Sequence, residues 1–169
     1  MTIQQIFGLQ VLLSFVLFTL LARWYVSPRL AGLPVERALQ PLLALHATRH
    51  MGLVFLVPTV VGGTLPVAFA AAAAYGDLLA GLLALAALVA LRARSSVAMP
   101  LTWLFNVIGL LDLVNAFYQG LTHRVLLGAA YYIPTFIVPA LVVTHVMIFG
   151  LLRRPSTSAR LDLPVSSRM

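Results

Sequence analysis

The sequence predicts an all-α fold: a polytopic integral membrane protein built as a bundle of five transmembrane helices, N-terminus outside and C-terminus inside. Three observations carry this. The 169 residues are 62% hydrophobic and only 9% charged, with a mean hydropathy of +1.02, against roughly 45–50% apolar and 25% charged in soluble domains. Five apolar runs approach or exceed the roughly 20 residues that a helix needs to cross a bilayer core. The arginines collect on one side of those runs.

The first run, Ile6 to Tyr25, follows five residues with no positive charge and is followed by no small-residue cleavage site, so it reads as a retained span and not a signal peptide. The second, Leu39 to Val61, contains His46, Arg49 and His50 in otherwise oily sequence. The third, Pro66 to Leu91, is long; its start, GGTLPVAFAAAAAYGD, reads as the beginning of one helix or as a shallow re-entrant piece before the span. The fourth runs from Met99 to Tyr118 and the fifth from Val125 to Leu152, where Pro134 and Pro139 remove backbone hydrogen bonds and are expected to bend the helix. The spans make one domain, residues 1–154. Residues 155–169 are polar, rich in Pro and Ser, and read as a flexible basic cytoplasmic tail.

Orientation follows from charge. Nine of the eleven arginines (Arg23, Arg29, Arg37, Arg92, Arg94, Arg153, Arg154, Arg160 and Arg168) fall on the side that holds the C-terminus, whereas only Arg124 falls on the other and Arg49 lies within the second run. The positive-inside rule then gives N-out, C-in in a plasma membrane or bacterial inner membrane, multi-pass. The net charge of +7 and pI near 11.1 do not indicate nucleic acid, because the arginines flank apolar runs where they meet lipid headgroups. The lipid bilayer is the expected partner, with a small-molecule ligand as the second. The oligomeric state is left open.

Composition excludes several chemistries. Without lysine there is no Schiff-base retinal site and no Walker-type phosphate loop; without cysteine there are no disulfides, thiolate metal sites or iron–sulfur clusters. No internal repeat of the secondary-transporter kind is visible. Size and helix count are similar to those of the tryptophan-rich five-helix sensory and translocator proteins, but this chain has two tryptophans and lacks their motif residues, so no functional residue is carried over.

Ionisable groups inside a bilayer are expensive and therefore face protein, usually with partners. At about 100° per residue, His46 and His50 lie about 40° apart on one helical face, with Arg49 at its edge and Gly52 nearly opposite. In the fourth run Asp112 shares a sector with Gly109, with Asn115 to one side and Asn106 further round on the other. His145 lies on the fifth run and Asp77 on the third. Depth places His46, Asn106 and His145 in one layer, with His50 and Asp112 near the midplane. The expected site is thus a polar seam between helices two, four and five. In it Arg49 pairs with Asp112, or secondarily with Asp77, and His46, His50, His145, Asn106 and Asn115 bind a ligand or cofactor.

Facing imidazoles suit a b-type haem, with His46 or His50 opposite His145, and the same three histidines suit a divalent metal. A second reading is a small proton-coupled permease, in which His50, Asp112, Arg49 and Asp77 form a relay. An enzyme acting on a lipid-soluble substrate has no recognisable motif in its support, so enzymatic activity stays open. In the plainest reading the polar groups are interhelical glue in an assembly partner, at about 0.6 kcal/mol per hydrogen bond.

Overall fold

The computed structural model describes residues 1–63, 65–122 and 127–154. His123, Arg124 and the tail from 155 onward, on which part of the sequence reading rests, lie outside the described residues. Among those described, all regular structure is helical. Four helices are long and apolar enough to cross a membrane: α1 (Ile3–Ala31), α4 (Val67–Arg92), α5 (Ala98–Thr122) and α6 (Gly128–Leu152). Between α1 and α4 lie α2 (Val35–Ala47), a 3₁₀ segment (Thr48–Leu56) and the single-turn α3 (Pro58–Val61).

The beginning of α1 is fixed by a capping box in which Thr2 Oγ1 accepts from Gln5 N–H at 3.2 Å while Thr2 N–H donates to Gln5 Oε1 at 2.8 Å. It is apolar nearly all round, buries little, and packs on α6 at the edge of the bundle. A π-helical turn at Ala22–Val26 interrupts it among its interfacial Arg, Trp and Tyr.

The centre of the molecule is α4. Its residues Ala70, Ala73, Ala74, Ala80, Gly81, Ala84, Ala87 and Leu91 are buried at helical spacing, and such small side chains let neighbouring backbones approach closely. Packed against it are α2, the 3₁₀ segment and α5. It is one continuous helix from Val67, so the stretch from Val67 to Asp77 is the beginning of that helix and not a separate piece. In α6 the irregularity expected from the two prolines takes the form of a π-helical turn, Ile133–Ile137, bracketing Pro134 and preceding Pro139.

The second run departs most from expectation, because its α-helix stops at Ala47 and continues as nine residues of 3₁₀ helix. Thr48 Oγ1 bonds back to Leu45 C=O at 2.6 Å at the transition. Val57 is extended before Pro58, as pre-proline residues prefer, and ends the segment. Residues three apart eclipse in a 3₁₀ helix. Accordingly every third residue is buried: Leu43, His46, Arg49, Gly52 and Phe55.

Two apolar clusters result. One, around Leu39, Leu43, Ala84, Phe105 and Ile148, fills the arginine-rich end; the other, around Phe55, Phe69, Ala73, Ala74 and Leu127, fills the opposite end. A polar layer separates them.

Candidate functional site

Arg49 organises that layer. It is 3% exposed, and each arm of its guanidinium has a partner from elsewhere in the chain. Nε donates to Asp77 Oδ1 of α4 at 2.7 Å, Nη2 to Asp112 Oδ2 of α5 at 2.6 Å, and Nη1 to the Gly109 carbonyl of α5 at 2.9 Å. The expected pairing with Asp112 is present, and Asp77 joins it instead of competing with it. Both carboxylates retain slight exposure, 13% and 15% of their side chains.

Glycines make room for this arrangement. A methyl group at Gly52 would overlap the Asp77 carboxylate, one at Gly76 would overlap that of Asp112, and one at Gly109 would lie 3.0 Å from Arg49 Nη1 and 2.9 Å from His145 Cε1. Gly52 is therefore on the Arg49 side of its helix, not opposite, as the eclipsed 3₁₀ positions require.

Adjacent to Arg49, the imidazoles of His46 and His145 are fully buried with their centroids 4.1 Å apart, and Phe105 packs against both rings. Asn106 Nδ2 donates to the His145 carbonyl at 3.2 Å, which makes its Oδ1 the acceptor; His145 Nδ1–H donates to it at 2.7 Å. His46 Nε2 meets Thr144 Oγ1 at 3.0 Å. The remaining ring nitrogens, His46 Nδ1 and His145 Nε2, have no hydrogen-bond partner among the described residues.

Two expected members are not in this site. His50 is exposed and its Nδ1 bonds to Ala47 C=O of its own turn at 2.9 Å. The tighter winding after Ala47 brings Arg49 beneath His46 and swings His50 off the face they share. Asn115 is exposed as well and accepts from Gln119 one turn on at 3.2 Å. The three-histidine metal set is accordingly not assembled, and no group of three or more His, Asp or Glu suited to a metal occurs among the described residues. Haem ligation fares no better, since imidazoles in contact leave no space for a macrocycle between them.

A cleft of about 520 Å³ opens beside the polar layer, between α1, α4, α5 and the start of α6. Phe7, Phe55, Phe69, Phe117 and Tyr131 are among its walls, and Asp77 is the charged residue among them. Tyr131 is held by a hydrogen bond from its hydroxyl to Gln10 Oε1 of α1 at 2.7 Å. Sequence reading missed this cleft, along with Thr144, Phe105 and Gly76. The aromatic residues resemble ordinary lipid-facing ones until α1 is placed, and Gln10, a polar residue within the first apolar run, is the one signal in the sequence that bears on it.

No curated protein and no solved structure matches the chain. A family model does, over residues 6–153, a stretch that takes in all the long helices and the whole Arg49 cluster. The chain belongs to that family, described as a domain of unknown function (DUF8737).

Proposed function

We propose that this protein crosses the membrane five times, N-out and C-in, and binds a small, mainly apolar molecule bearing a cationic group in the aromatic cleft, with Asp77 as its polar anchor. The cleft carries the reading: its volume falls within the roughly 300–1,000 Å³ of small-molecule pockets, and it pairs mainly apolar walls with a few polar residues, of which Asp77 is the charged one. The charge of the ligand follows from the floor. Two carboxylates share one guanidinium, so the ionised cluster carries one surplus negative charge that an incoming cation would balance.

The fifth pass is the broken second segment. Its thirteen α-helical and nine 3₁₀ residues amount to roughly 37 Å of rise, longer than a hydrocarbon core of about 30 Å. It lies antiparallel to α4, with Gly52 against Asp77 and Ala47 near Gly81. Because the chain has no cysteine, single cysteines report topology directly: Ser96→Cys is expected to react with an impermeant maleimide only from the cytoplasmic face, and Thr2→Cys only from the outer face.

Gly8 offers the sharpest test of binding. It lines the cleft, and a Cβ there meets nothing within 4 Å, so Gly8→Leu inserts a side chain into the cavity while improving helix propensity. In thermal-shift titrations with a panel of aromatic amines and isosteric neutral alcohols, the wild type should prefer amines, Asp77→Asn should lose that preference, and Gly8→Leu should bind neither class. Undiminished amine binding by Gly8→Leu would overturn the proposal.

His145 Nε2, without a hydrogen-bond partner among the described residues, and Arg49 Nη1 both border Gly109, which also favours proton-coupled transport of that ligand through the Arg49 cluster. Proteoliposome uptake that is insensitive to Asp112→Asn would remove this second reading.

A further inference from the structure

A second cleft, of about 580 Å³, lies at the arginine-rich end of the bundle, where the start of α2, the end of α4 and the start of α5 meet. Arg37, Arg92 and Arg94 line it together with Ser95 and Ser96, and Glu36 is the one acidic residue among its walls. Three guanidinium groups against one carboxylate make it cationic. Elsewhere at this end, three arginine side chains are already engaged: Arg29 donates to Tyr25 C=O, Arg154 to Leu30 C=O, and Arg153 lies over the Phe149 ring. The three in the cleft have neither an ion pair nor a side-chain hydrogen bond among the described residues.

Arg94 adds an independent argument. The end of α4 is a Schellman motif, with Ser95 N–H donating to Ala90 C=O at 3.0 Å and Arg94 N–H to Leu91 C=O at 3.2 Å. Arg94 occupies its left-handed position at φ 53°, where glycine is favoured because a Cβ is disfavoured there. An arginine where the backbone favours glycine is an outlier of the kind found at functional positions.

We propose that this cleft binds a phosphate group, with guanidinium groups as bidentate donors and the two serine hydroxyls as secondary ones. At this membrane-facing end the headgroup of an anionic phospholipid supplies that chemistry, and a soluble phosphate supplies it equally. The inference is independent of the aromatic cleft, which lies at the other end of the bundle.

Full-length protein in neutral detergent, titrated with phosphatidylglycerol or phosphatidylcholine and read by native mass spectrometry, tests it; a parallel calorimetric titration uses inorganic phosphate. Phosphatidylglycerol should remain bound where phosphatidylcholine does not. Its affinity should fall roughly fivefold for each arginine removed, in Arg92→Gln and in Arg94→Gly. Arg94→Gly places the favoured residue in the left-handed position, so its thermal midpoint should be maintained or rise while binding falls, separating the site from the fold. Saturable inorganic phosphate that displaces the lipid assigns a soluble source as well, and binding of lipid alone assigns the headgroup. The proposal is overturned if the wild type binds neither, if Arg94→Gly binds phosphatidylglycerol as the wild type does, or if Arg23→Gln, outside the cleft, weakens it equally.

Discussion

Arg49 holds a charge in the middle of an apolar chain by leaving none of its three arms unpaired: two are ionic and the third goes to the Gly109 carbonyl. That pairing was legible in sequence because only two acidic residues, Asp77 and Asp112, fall within apolar runs and an unpaired guanidinium there would be prohibitive. The histidines were only partly legible. A constant helical pitch put His46 and His50 on one face, and no feature of the residue types announces the change to 3₁₀ winding that separates them. Their substitutions should therefore differ sharply. His46→Ala removes a fully buried ring and its contact with Thr144, and is expected to lower stability by about 2–4 kcal/mol. His50→Ala should change it by no more than about 0.5 kcal/mol. Unfolding in mixed micelles measures both, and equal losses would contradict the placement.

At the scale of elements, the 3₁₀ segment sets the geometry of the site, since its three-residue repeat lines up Arg49, Gly52 and Phe55 below His46, the last residue but one of α2, while the segment packs on α4. Gly52 is the position where that contact is tightest. Gly52→Ala forces its methyl group against Asp77 and should destabilise by about 1–3 kcal/mol. Gly8→Ala, in α1 with open space around it, should instead be neutral or stabilise by up to about 1 kcal/mol. The two glycines look alike in sequence, each inside an apolar run; only the packing partner distinguishes them, and unfolding midpoints of the two variants read it directly. The four long helices were legible from length and apolarity, to within four residues at their ends except for α1, which runs six residues past the expected Tyr25. The aromatic cleft was not, because its walls come from five elements whose adjacency the chain does not spell out.

Across the whole molecule, apolar clusters at the two ends enclose a polar layer, with the aromatic cleft beside that layer and a cationic cleft at the arginine-rich end. Charge asymmetry between the ends was readable from the arginines alone. The polar layer was readable in only part of its membership, since His50 and Asn115 fall outside it, and not in its neighbours: α4, which sequence reading left outside the seam, stands at its centre and supplies Asp77. The central claim is that Arg49 and the two carboxylates act as one electrostatic unit joining the broken segment to α4 and α5. A stability cycle in mixed micelles tests it most directly. Arg49→Met alone leaves two carboxylates without their cation and is expected to lose about 3–5 kcal/mol. Adding Asp77→Asn and Asp112→Asn removes the stranded charges and should restore more than half of that loss. Losses that simply accumulate from single to triple variant would contradict the claim.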